Sequence, residues 1–223
     1  MKKLILAAVL AMFASATAYA GPGINIGVSG QLGLFAATAT ETDVGTNGTT
    51  TDSDEKNSES EFLGIGYASV FIEKTLGRAF IGVDYVPSAL ESETSETARN
   101  DKTTTDARST KNNKVQVDFE DLTTVYFGLN VTDNMYVKAG ISTVDIITNE
   151  DLGTGSTYAD TDMDGMSIGV GYNATNDNGM FLRVEGNYME FDGASVTSAN
   201  GVNKISLDSL DGASGKLSIG KSF

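Results

Sequence analysis

Ile24-Asn25-Ile26-Gly27-Val28-Ser29-Gly30-Gln31-Leu32-Gly33-Leu34-Phe35-Ala36 is the stretch that decides the fold. Ile24, Ile26, Val28, Leu32, Leu34 and Ala36 fall on one face of a period-two repeat, and Asn25, Gly27, Ser29, Gln31 and Gly33 on the other. That is a two-faced strand, because a helix would need apolar residues three and four apart. The alternation returns as Leu63, Ile65, Tyr67, Phe71, then as Ala79, Ile81, Val83, Tyr85, and then as Val125, Phe127, Leu129, Val131. It continues as Met135, Val137, Ala139, Ile141, as Met166, Ile168, Val170, Tyr172, and as Met180, Leu182, Val184, Tyr188. A final strand carries Leu217, Ile219 and Phe223.

Connections between these strands alternate in length. Thr75 to Arg78, Thr132 to Asn134 and Ala174 to Gly179 read as tight turns, whereas the stretches 39–60, 88–113, 147–164 and 192–204 are long and polar. Eight antiparallel strands with short turns at one end and long loops at the other is the plan of an all-β, up-and-down transmembrane barrel. A soluble barrel with its apolar face inward has the same alternation, so the outward face must be decided separately. The polar faces carry mostly Gly, Ser, Asn, Gln and Thr, small enough for the narrow interior of an eight-stranded closure. A soluble exterior would be rich in Lys and Glu instead.

Charges on the apolar faces fall where lipid should end. Asp121 shares the face of Val125 and Phe127 but lies about 11 residues above the turn at Thr132, a full spanning length. Asp211 is similarly placed when counted back from Phe223. The bilayer is expected to end near these two carboxylates, with Val115, Val117 and Phe119 continuing the strand above it. Tyr and Phe near strand ends supply the interfacial aromatics in a chain without tryptophan.

Ahead of the first strand, Met1-Lys2-Lys3, the apolar run Leu4 to Phe13 and the small-x-small motif Ala18-Tyr19-Ala20 have the three parts of a secretory signal peptide. Residues 1–20 are expected to be removed, with Ala18 and Ala20 at the cleavage site, leaving one domain over 21–223. The 223 residues include no cysteine and no histidine, which excludes a thiolate metal site, a Cys nucleophile and the usual Ser-His-acid arrangement. The formal charge is −15. Removing Lys2 and Lys3 from 15 basic residues leaves 13 against 30 acidic, a net −17. A nucleic-acid partner is excluded on that balance, since phosphates need a positive footprint.

The leader, the eight alternating segments and the terminal Phe223 together resemble the small outer-membrane β-barrel superfamily, which includes the membrane domain of outer-membrane protein A and the opacity-like porins. The resemblance implies an integral outer-membrane location and assembly by the barrel-assembly machinery, which reads a terminal aromatic preceded by alternating apolar residues. Phe223, Ile219 and Leu217 match that signal, while Lys221 stands where an apolar residue is usual. Nothing follows Phe223, so a peptidoglycan-binding domain is not expected.

Two constellations stand out. On inward faces, Asp84, Lys138, Arg183 and Glu185 lie about three to six residues above their short turns, so two acids and two bases are expected to share one layer. Buried charges must be paired, so the quartet reads as a lumen plug, with a gated pore as the alternative. Asp160-Thr161-Asp162-Met163-Asp164-Gly165 matches the start of a calcium loop, with candidate ligands Asp160, Asp162 and Asp164, but Gly171 stands at the twelfth position where an acid is required. The pairs Gly64-x-Gly66 and Gly169-x-Gly171 are read as inward lumen fillers. No cofactor is implied. The expected function is non-enzymatic, a structural or surface-interaction barrel displaying acidic loops toward a surface ligand, with a small porin for ions or solutes as the alternative.

Overall fold

The computed structural model describes residues 23–43, 55–88, 90–91, 94–102, 108–153, 155, 157–201 and 203–223. The leader and its cleavage site at Ala18 and Ala20 lie outside the described residues. The described residues form strands without a helix: β1 (Ile24–Asp43), β2 (Glu55–Leu76), β3 (Ala79–Tyr85), β4 (Leu90–Glu91), β5 (Ser95–Lys102), β6 (Arg108–Asn130), β7 (Met135–Leu152), β8 (Thr161–Thr175), β9 (Met180–Phe191), β10 (Ala194–Thr197), β11 (Asn203–Leu207) and β12 (Leu210–Ser222). Eight of them close a ring, β1-β2-β3-β6-β7-β8-β9-β12 and back to β1, every pair antiparallel.

Register fixes the shape of that ring. A walk across the paired residues runs Asn25, Glu73, Gly82, Tyr126, Gly140, Ser167, Met189, Gly212 and returns to β1 at Phe35, ten residues along the strand from its start. A shear of ten over eight strands tilts them by about 40° and gives a radius of about 8 Å, an interior that side chains fill. Each residue then climbs about 2.5 Å along the barrel axis.

Side chains facing out are apolar through the lower part of the ring. Val28, Leu32, Phe127, Ile141, Ile168, Val184 and Ile219 are exposed, as an apolar belt requires. On β6 the belt runs from Val131 up to Asp121, about 25 Å along the axis, the height of a lipid-facing band. Tyr85 donates to Asp121 Oδ1 at 2.7 Å and Tyr188 to Asp211 Oδ1 at 3.4 Å, so each edge carboxylate is held by an aromatic hydroxyl.

Asp121 is also where β6 changes face. Its φ of 54° is left-handed, and the register with β7 slips between Glu120 and Thr123, a β-bulge. Below the bulge Phe127 and Leu129 face out, whereas above it Phe119 and Val117 turn inward against an apolar cluster. The strand does continue above Asp121, with its alternation inverted.

Two readings of the sequence are corrected here. On β2 the faces are opposite to the expected ones: Ile65, Tyr67 and Phe71 point inward, while Phe62, Val70 and the pair Gly64 and Gly66 face out. Both faces of this strand are apolar, and between Leu63 and Ala68 the larger residues fill the lumen while Gly64, Gly66 and Ala68 face out. The long polar connections, in turn, are largely strand: β1 and β2 stay paired up to Asp43↔Glu55, β5 pairs with β6, and β10 with β11. Thr, Ser and Asn in these stretches alternate in hairpins that extend the wall above the belt, with Thr38–Ser60 and Thr40–Ser58 hydroxyl pairs across one of them.

Candidate functional site

The lumen holds the charged groups, and it holds more than the sequence suggested. Arg183 on β9 does not pair with Asp84 or Glu185. Its guanidinium grips Glu73 on β2 with two parallel bonds, Nη1 to Oε1 at 2.5 Å and Nη2 to Oε2 at 2.7 Å. Glu73 also accepts from Tyr126 Oη at 2.9 Å and Asn25 Nδ2 at 3.1 Å, so a side chain only 1% exposed has four donors. The rings of Phe181, Tyr136, Phe71 and Phe80 surround the guanidinium, with centroids 4.6 to 5.8 Å from Cζ.

Above this pair sit two more. Lys138 on β7 donates to Glu185 Oε2 at 2.5 Å, and Tyr136 donates to the other oxygen of Glu185. Lys216 on β12 pairs with Asp84 on β3. The expected single layer of four is therefore a stack of three acids and three bases, and the two residues missed are Glu73 and Lys216. Glu73 was hidden by the inverted reading of β2. Lys216 was legible, since it lies on the inward face of the strand bearing Leu217 and Ile219.

Glycine makes room for this stack. A Cβ on Gly171 would collide with the Tyr136 ring, and one on Gly169 with the Asn187 amide, while Gly128 lies under Phe80. Lys138 and Glu185 reach each other across β8 because its inward residues there have no side chains. Between the upper ion pairs and the next layer is a polar cavity of about 30 Å³ lined by Gln31, Asp84, Thr124, Lys138, Asn187 and Lys216, among others. Both amide atoms of Asn187 lack a protein partner there, and the space and chemistry suit a water molecule.

Higher in the ring the lumen becomes apolar, contrary to a plug of polar side chains throughout. Phe35, Leu122, Val144, Met163, Met189, Phe191 and Leu210 form one buried cluster. Charge pairs thus occupy the lumen toward its short-turn end and hydrocarbon side chains toward the other.

Asp160, Asp162 and Asp164 do not form a loop. Asp162 and Asp164 lie within β8 with buried Met163 between them, and the backbone of Thr148 donates to Asp160 Oδ1 at 3.4 Å. Alternate residues of a strand are about 6–7 Å apart, too far for one ion to draw all three inward. Among the described residues, no group of three acidic side chains is placed to hold a metal. Leu217, Ile219 and Phe223 are exposed on the outward face of β12, with the Lys221 ammonium 5.7 Å from the Phe223 ring.

A closed ring with an apolar exterior, no free edge through its lower belt and its charges turned inward satisfies every requirement of a lipid-spanning strand protein. The chain is a β-barrel of membrane-spanning form. Among solved structures it is similar to Neisserial surface protein A, at 11% identity and TM-score 0.38, over 87% of this chain and 97% of that one. It is similar to outer membrane protein OprG from Pseudomonas aeruginosa at 14% identity and TM-score 0.43, over 90% and 96%. A third is the outer membrane protease OmpT from Escherichia coli, at 9% identity and TM-score 0.44, over 90% and 97%. No protein-family model and no curated protein matches the chain. Placement in a membrane rests on the chain's own closure and belt.

Proposed function

We propose that this barrel is a non-enzymatic structural and surface-display protein that does not conduct ions. The stacked ion pairs carry that reading. Each pair joins strands that are not neighbours, β2 to β9, β7 to β9 and β3 to β12, so the pairs cross the lumen. Opening a path would separate buried opposite charges, which leaves each uncompensated and is strongly unfavourable. The short turns face the periplasm in this reading, Leu217, Ile219 and Phe223 are the residues the assembly machinery takes hold of, and the acidic connections β1–β2 and β7–β8 stand outside the cell to meet a surface ligand.

Single-channel recording in planar bilayers tests it. The wild type is expected to be silent, and Asp84→Ala, which unpairs Lys216, to show intermittent conductance. A large and steady wild-type conductance would replace this reading with that of a small porin.

A further inference from the structure

The two edges of the lipid-facing belt carry opposite charge. On outward strand positions, the long-hairpin edge presents Asp121 on β6, Asp164 on β8, Glu190 on β9 and Asp211 on β12. The short-turn edge presents Lys74 on β2 and Lys221 on β12, with Arg78 in the turn that follows β2. β12 alone spans the belt, since Lys221 lies ten residues from Asp211, about 25 Å along the axis. The chain has 30 acidic residues against 15 basic ones, yet among the described residues no outward strand carboxylate stands at the short-turn edge. Asp133 and Asp177 belong to the β6–β7 and β8–β9 turns, away from β1 and β2.

Lys74 and Lys221 flank β1, where Lys74 pairs with Ile24 and Lys221 with Ile26. Crossing one strand of the tilted ring changes depth by about 3 Å and two residues along a strand by about 5 Å, so the two lysines lie within about 1 Å of the same depth. Two strand spacings and a two-residue offset put their Cα atoms about 12 Å apart, a span that lets two flexible four-carbon stems close on one anion from either side. Neither ammonium has a carboxylate partner among the described residues. The wall beside them is apolar: Ile26, Val28, Val70 and Ile219 are each about half exposed, and the Phe223 ring lies 5.7 Å from the Lys221 ammonium.

We propose that Lys74 and Lys221 hold the phosphate of an anionic phospholipid from the leaflet at the short-turn end, with its acyl chains lying along Ile26, Val28, Val70 and Ile219. Charge selects the lipid. A zwitterionic headgroup brings a cation of its own, which competes with the two ammoniums for the phosphate, whereas phosphatidylglycerol brings none. The wall selects a lipid over free phosphate, because the lysine stems rest on apolar surface that only a tailed phosphate covers. At the opposite edge the carboxylates repel the same headgroup, so the preference belongs to one leaflet. The inference rests on the membrane-spanning reading and is independent of whether the lumen conducts.

The chain has no tryptophan, so a single one introduced at a chosen position reports the lipid beside it. Ile26→Trp places it between the two lysines, and Tyr172→Trp places it on β8, 52% exposed, at about the depth of Ile26. Quenching is read on the full barrel in vesicles of phosphatidylcholine and phosphatidylglycerol, with brominated chains on one lipid or the other. At Ile26→Trp, phosphatidylglycerol is expected to compete about tenfold better than phosphatidylcholine, and at Tyr172→Trp about equally. Lys74→Gln with Lys221→Gln is expected to bring the ratio at Ile26→Trp down to that at Tyr172→Trp, and Lys74→Arg with Lys221→Arg to keep it well above. Equal ratios at the two positions with both lysines present would overturn the proposal, as would a preference that survives the double Gln change. Quenching at neither position would take the belt out of lipid, and the membrane-spanning reading would fall together with the proposal.

Discussion

Glu73→Gln removes the negative half of the most enclosed ion pair while keeping its shape. Arg183 would remain, 6% exposed and ringed by four aromatic side chains, with a neutral amide where its carboxylate stood. Breaking a buried pair from one side costs about 3–5 kcal/mol, since the residual charge is left uncompensated. Dividing about 4 kcal/mol by a urea dependence of about 2 kcal/mol/M gives a fall in midpoint of about 2 M. The double variant Glu73→Gln with Arg183→Met removes both charges and leaves an apolar chain among Phe71, Phe80, Tyr136 and Phe181, an environment already suited to it. It is expected to lie within about 1–2 kcal/mol of wild type, because replacing a whole buried pair by apolar groups is often neutral. The assay is urea unfolding of the barrel in lipid vesicles, read by the electrophoretic mobility difference between folded and unfolded chain without boiling. A Glu73→Gln midpoint within error of wild type, or a double variant that loses the full sum of the two single changes, would refute the coupling.

Two further changes probe the wall. Gly128→Ala places a methyl group under the Phe80 ring and is expected to cost about 1–3 kcal/mol by overpacking. Gly186→Ala faces open space on the lipid side and is expected to be neutral or stabilising by up to about 1 kcal/mol; the same urea midpoints check both. Val184→Arg sets a charge near mid-belt, where Val184 is 55% exposed, and is expected to cost about 2–4 kcal/mol, whereas Asp211→Asn at the upper edge should change the midpoint little.

Strand existence and the lipid-facing side were legible wherever one face was apolar and the other small and polar, as on β1, β8 and β12. β2 failed that condition. Leu63, Ile65, Tyr67 and Phe71 are bulkier than Gly64, Gly66 and Ala68, and hydropathy alone chose the wrong set. Glu73 carried the correction: beside the turn, it shares parity with Phe71, and a carboxylate there has to look inward. The bulge at Asp121 had a signal in the adjacent acids Glu120 and Asp121, which period two cannot place on one face, but the inversion that carries Phe119 inward depends on the pairing with β7. Asp84, Lys138, Arg183 and Glu185 were found by parity and height above the turns. Who pairs with whom was not, because partners across a tilted ring are set by shear, a property of the closed barrel and of no single strand.

That shear has a consequence for how the chain assembles. Each of the three lumen ion pairs joins strands that are not adjacent, and one of them joins residues 110 apart in sequence. In an open sheet Glu73 and Asp84 on one side and Arg183 and Lys216 on the other would be solvated and far from their partners. Lys138 and Glu185 can meet across β8 within one meander, whereas Glu73 meets Arg183 and Asp84 meets Lys216 only when β1 and β12 zip together at the right displacement. A seam slipped by two residues would still bond its backbone, yet it would alter the radius and displace Glu73 from Arg183 and Asp84 from Lys216. The two pairs that need the seam are thus satisfied by one register of β1 against β12.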